Sequence, residues 1–192
     1  MNPILAGFRR LGRFSGRDSR AVFWPYAGLV LAVGFVTICI VMMFQIQALV
    51  VEMQAFAAQH PGRVTTDVGL NSYSMSVSSG DPAFVPDMSG MALGMGAVSG
   101  VLVVLLAAAV ARRLYDTGRS GLWALPTPIF LMIALIMMPR LMMSFSGPEP
   151  DMRLFGLLFA NNAAYIFSLG VLVILLILPS RAGANRFGSP TA

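Results

Sequence analysis

Between Ala27 and Phe44 lie 18 consecutive positions without a charged side chain, and three further segments of similar character follow. At ~1.5 Å per residue such a run makes ~27 Å of helix, close to the ~30 Å of hydrocarbon in a bilayer. A water-soluble fold has no way to hide four rods of this kind. Of the 192 residues, 57% are hydrophobic and 11% charged, and mean hydropathy is +0.77, against roughly 45–50% apolar and about 25% charged in soluble domains. Inside a bilayer the backbone must satisfy its own hydrogen bonds, so each run reads as a helix. The expected fold is therefore all-α, an integral membrane four-helix bundle forming one domain over residues 1–192, with spans near 22–51, 88–111, 122–138 and 154–178.

The segments between the spans are equally informative. In residues 1–20, Ile4, Leu5, Phe8 and Leu11 recur at helical spacing while Arg9, Arg10 and Arg13 turn mostly away, which predicts a short N-terminal interfacial helix. Trp24 and Tyr26 suit the membrane boundary, and Pro25 suits a first helical turn. The first apolar run is too long for a cleaved leader and offers no small-residue cleavage site, so it reads as an uncleaved span. Residues 52–87 read as an outer loop with many serines and the breakers Pro61, Pro82 and Pro86, in which Tyr73, Met75 and Val77 hint at a short strand. The second span carries two G-x-x-x-G pairs, Gly90 with Gly94 and Gly96 with Gly100, and close backbone approach makes it the expected central helix. Pro126 and Pro128 predict a kinked or re-entrant start to the third span, residues 139–153 an outer turn, and Pro179 the end of the fourth.

The formal charge of +5 and a pI near 10.3 do not point to nucleic acid. Every basic residue is Arg, most of them flank apolar segments, and no nucleic-acid-reading motif accompanies them. Ten arginines fall on one side of the four spans, and Arg63, Arg140 and Arg153 on the other. The excess places both termini in the cytoplasm. Cys39 sits alone within the first span, where it forms neither an internal disulfide nor a zinc site.

Three motifs lie on that same side. Gly16 and Arg17 with Arg20, Phe23 and Trp24 lead into the first span; residues 112–121, RRLYDTGRSG with Trp123 following, form a cytoplasmic hairpin; Asn185, Arg186, Phe187 and Gly188 with Pro190 close the chain. Together they resemble the YhaH-like family, small bacterial inner-membrane proteins built on a domain of unknown function. Tyr115 stands where that family usually has His, and Leu122 where a Trp is common. The resemblance implies a four-helix fold and an inner-membrane location, and it implies no activity.

Arg17, Arg20, Arg112, Arg113, Asp116, Arg119 and Arg186 are the candidate site. Guanidinium forks suit phosphate oxygens, and Asp116 is placed to steady one of them. The expected role is structural or interactive, with this constellation engaging anionic phospholipid headgroups or a membrane-protein partner; a homo-oligomer through the glycine faces is equally open. The bland alternative is a tight turn whose arginines only fix topology. A channel or transporter element would draw on Asn161, Asn162, Tyr165 and Ser168 of the fourth span, yet no span carries an ionisable residue at its centre. Met91, Met95, Met137, Met138, Met142, Met143 and Met152, together with Met88, gather near the outer surface; thioethers are soft Cu(I) ligands, but adaptable packing is the commoner use. No nucleophile and base can be paired, so the chain does not read as an enzyme, and no cofactor or metal is assigned.

Overall fold

A computed structural model of the chain describes residues 2–61, 64–70, 72–77, 89–145 and 149–188. Four helices are long and apolar enough to cross a membrane. Element α1 is Pro3–Arg9, α2 Arg20–Gln59, α3 Ser89–Asp116, α4 Pro126–Ser144 and α5 Met152–Ile177; strands β1, Val64–Val68, and β2, Tyr73–Val77, lie between α2 and α3.

The starts of α1, α4 and α5 follow from local chemistry, whereas α2 begins at Arg20, which puts Pro25 inside the helix and not in its first turn as expected. The Asn2 side chain accepts from Ile4 N at 3.0 Å to cap α1, and Asp151 accepts from Arg153 N and Leu154 N to cap α5. A single 3-10 turn at Gly121–Ala124 leads into α4, whose first residue is Pro126. Proline costs little there because its missing N–H would have had no intrahelical partner.

Several boundaries differ from the sequence reading. Helix α2 runs 40 residues to Gln59, so the expected outer loop does not start at Glu52; Glu52, Met53, Gln54 and Ala55 are good helix formers and nothing in them breaks the ladder. Pro139 lies inside α4, which continues to Ser144 rather than turning at Pro139. The segment between α2 and α3 contains an antiparallel pair, with Val64 opposite Val77 and Val68 opposite Tyr73, so the strand hinted at by Tyr73, Met75 and Val77 is present. Helix α3 extends to Asp116, which puts Arg112, Arg113 and Asp116 on its final turn and not in a loop. The expected start of the second span at Met88, and Arg63, Gly147, Pro148 and Pro190, lie outside the described residues.

Helix α2 packs on α3 and α4 on α5, while α3 also meets α4 and α5. The tightest apolar core joins Phe23, Tyr26, Ala27 and Val30 of α2 to Ala109 and Leu114 of α3 and to Leu172 and Leu176 of α5. Outside it the helices show apolar side chains such as Phe35, Phe159 and Phe167 on the surface, as rods solvated by lipid do. Helix α1 is docked on α2: a Cβ at Gly7 would lie 2.2 Å from the Tyr26 ring, and Phe8 meets that ring edge-on at 5.2 Å.

The two glycine pairs of α3 have different surroundings. A Cβ at Gly94 would lie 2.9 Å from Val41 and one at Gly90 3.4 Å from Gln45, whereas Gly96 and Gly100 face nothing within 4 Å. Gly94→Leu is accordingly expected to destabilise the α2 and α3 pair by roughly 1–3 kcal/mol through overpacking. Gly96→Leu in the same detergent should melt with the wild type, and equal melting temperatures for both variants would contradict the packing described.

Candidate functional site

Three chain segments distant in sequence meet at one end of the bundle, and each is turned into place by a glycine. The positive-φ residues among those described are Gly16 (φ 96°), Gly118 (φ 79°), Gly183 (φ 77°) and Gly188 (φ 124°), a region that side chains with a Cβ rarely enter. Gly118 ends α3 by reversing the chain: Arg119 N donates to Leu114 O at 2.9 Å and Gly118 N to Tyr115 O at 3.0 Å, the paired bonds of a Schellman stop. Gly16 precedes Arg17, and Gly183 and Gly188 shape the segment that follows α5.

Asp116 is the hub. Its Oδ1 accepts from Arg17 Nε at 3.1 Å, and its Oδ2 accepts from Arg113 at 2.5 Å and from the Ser180 hydroxyl at 2.5 Å. Arg17 also donates to the carbonyls of Gly183 at 2.8 Å, Arg181 at 2.6 Å, Asp116 at 3.3 Å and Gly188 at 3.4 Å. One guanidinium thereby holds the end of α3 and most of the C-terminal tail. Arg113 donates to Leu176 O at 3.0 Å and Leu178 O at 2.5 Å, reaching carbonyls at the negative end of α5 that no helical N–H can satisfy.

A second pair lies beside the first. Arg112 donates through Nε to Asp18 at 2.7 Å and to the carbonyls of Arg10 and Arg13. Asp18 accepts in addition from Arg10 at 3.2 Å, and its N–H bonds Arg112 O at 3.3 Å. Arg17, Arg112, Arg113, Asp18 and Asp116 are all at most 3% exposed, and among the described residues no buried side-chain nitrogen or oxygen lacks a hydrogen-bond partner. Charges this deep are tolerable only because they are paired and fully hydrogen-bonded.

The candidate residues therefore divide. Arg17, Arg112, Arg113 and Asp116 form an internal knot in which each guanidinium already has a carboxylate partner and carbonyl acceptors within the chain. Arg20 is exposed and bonds Leu178 O at 3.3 Å; Arg186 is exposed over the Phe187 ring at 4.7 Å, and Phe187 stacks on Tyr115 at 4.2 Å. Arg119 is half-buried. Asp18 and Ser180 belong to the knot without having been singled out from sequence; Asp18 adjoins a candidate arginine, while Ser180 carries no sequence signal.

Comparison with protein families gives a match to a protein of unknown function, DUF805, over residues 11–189. The chain belongs to that family. Neither the curated proteins nor the solved structures yield a match. In this DUF805 chain the three sequence motifs are the three segments of the knot, so their joint occurrence has a physical cause: each supplies donors or acceptors to the other two. Several polar residues of the spans serve similar internal ends. Asn161 donates to Phe130 O at 3.0 Å, Thr127 to Ser168 at 3.3 Å and Tyr26 to Leu105 O at 2.7 Å, bonds that tie helix to helix in place of water.

Proposed function

We propose that this chain is a structural or interaction protein of the bacterial inner membrane, with both termini cytoplasmic and its knotted end held against anionic phospholipid headgroups. One observation carries the reading. At the knotted end Arg9, Arg13, Arg20, Arg181 and Arg186 are exposed, while the acids there, Asp18 and Asp116, are both buried; Asp67, Glu149 and Asp151, all exposed, lie toward the opposite end. Among the described residues, the accessible surface of the knotted end is thus cationic without a competing carboxylate. Such a surface favours the cytoplasmic leaflet, at ~1 kcal/mol per arginine near anionic lipid. The finer likeness to YhaH-like proteins supports the same location and rests on the three motifs.

The division of the arginines sets the test. In native mass spectrometry from mild detergent, Arg119→Ala combined with Arg186→Ala should lower retained phosphatidylglycerol or cardiolipin by roughly tenfold or more, two contacts of ~1 kcal/mol each being removed. Melting should stay near that of the wild type, because neither residue belongs to the knot. Lipid retention equal to the wild type would overturn the reading.

A further inference from the structure

At the end of the bundle away from the knot, α3, α4 and α5 line a cleft of about 260 Å³ that is open on one side, where Met138 and Asn162 are exposed. Two methionine pairs line it from opposite helices: Met91 and Met95 on α3, and Met138 and Met142 on α4. Each pair is spaced four residues apart, so each presents both thioethers on one helix face. The rest of the lining is Ala, Leu and Pro, with Asn162 of α5 as its polar side chain. Asn162 lies ten residues after Met152, ~15 Å along the helix. It is exposed on α5 beside the cleft, and its carboxamide has no hydrogen-bond partner among the described residues.

From this arrangement we propose a site for one soft monovalent cation, Cu(I), held by these methionine sulfurs with the Asn162 oxygen as an auxiliary donor. Among the described residues no cluster of three His, Cys, Asp or Glu is assembled, so the soft thioethers, and not a borderline or hard donor set, select the metal. Methionine has three rotatable bonds, which lets sulfurs on facing walls of so small a cleft converge on one ion. A thioether has no proton to lose, so binding should be flat across the pH range in which a histidine site would weaken. The site is independent of the lipid-facing arginines and stands or falls separately from them.

The test uses the full chain in detergent with Cu(I) kept reduced by ascorbate, and Ag(I) as a redox-inert probe. The wild type should retain about one ion per chain, by elemental analysis, against a competing chelator. Met95→Leu combined with Met138→Leu keeps side-chain volume and should cut retention at least tenfold. Met143→Leu, altering an exposed methionine outside the cleft, should leave it unchanged. Independently of folding in the variants, Ag(I) should protect Met91, Met95, Met138 and Met142 of the wild type from peroxide oxidation while Met143 oxidises freely. No ion on the wild type, undiminished retention by the double variant, equal loss in Met143→Leu, or unprotected cleft methionines would each overturn the proposal.

Discussion

Asp116→Ala is expected to abolish closure of the bundle at its knotted end. The substitution strips the shared carboxylate from Arg17 and Arg113, whose side chains are fully buried, and leaves the Ser180 hydroxyl without its acceptor. Removing one partner of a buried pair costs about 3–5 kcal/mol, because the stranded charge stays out of water. Here one carboxylate serves two guanidiniums, which places the cost at the upper end of that range. Against a typical total of ~5–15 kcal/mol, this is about a third of the stability or more, and a fall of about 10–20 °C in melting temperature is expected. Thermal unfolding followed by circular dichroism checks it. Asp116→Asn should fall between the two, since the amide oxygen still accepts a hydrogen bond but supplies no charge. A melting temperature for Asp116→Ala within a few degrees of wild type would mean that the surrounding carbonyls alone hold the arginines.

Arg17→Met should have the next largest effect and a different signature. This residue crosslinks the loop before α2 to Asp116 and to the carbonyls of Arg181, Gly183 and Gly188, so its loss frees the tail while the long helices remain paired through their apolar contacts. The expected result is trypsin cleavage after Arg181 and Arg186 at least tenfold faster than in the wild type, with helical content little altered, because cleavage then no longer waits for local opening. Arg17→Lys should not restore protection: an ammonium is a compact donor on a flexible stem and cannot span carbonyls that a planar fork reaches together. Wild-type cleavage rates in either variant would show that the tail is held by other contacts, such as Asn185 donating to Tyr115 O at 2.9 Å.

What the sequence disclosed and what it withheld have a common physical origin. Hydropathy locates helices because burying apolar residues in lipid is a local property, and all four expected spans fall on long helices. Their ends are harder to read, since a helix stops only where capping or backbone chemistry makes it stop: Glu52 is polar but a good helix former, and Pro139 falls within the last two turns of α4. The three motifs were visible as a set, yet motif chemistry does not say whether a guanidinium faces outward or inward. That depends on Asp116 meeting Arg17 across 99 positions of sequence, and on carbonyls that every residue possesses. Asp18 in isolation is a lone acid among arginines, reducing the local charge by one; only the folded chain shows it bridging Arg10 and Arg112.

The length of α2 has its own consequence. Its 40 residues make ~60 Å of rod, about twice the hydrocarbon thickness. A rod of that length outreaches one perpendicular crossing, so if Trp24 marks one boundary the turns after Val51 extend past the other as a stiff mast, with the paired strands following its tip. Whatever that ribbon touches is met at a height set by helical rise, which makes insertion or deletion of whole turns beyond Val51 a way to move it like a lever arm without disturbing the membrane half.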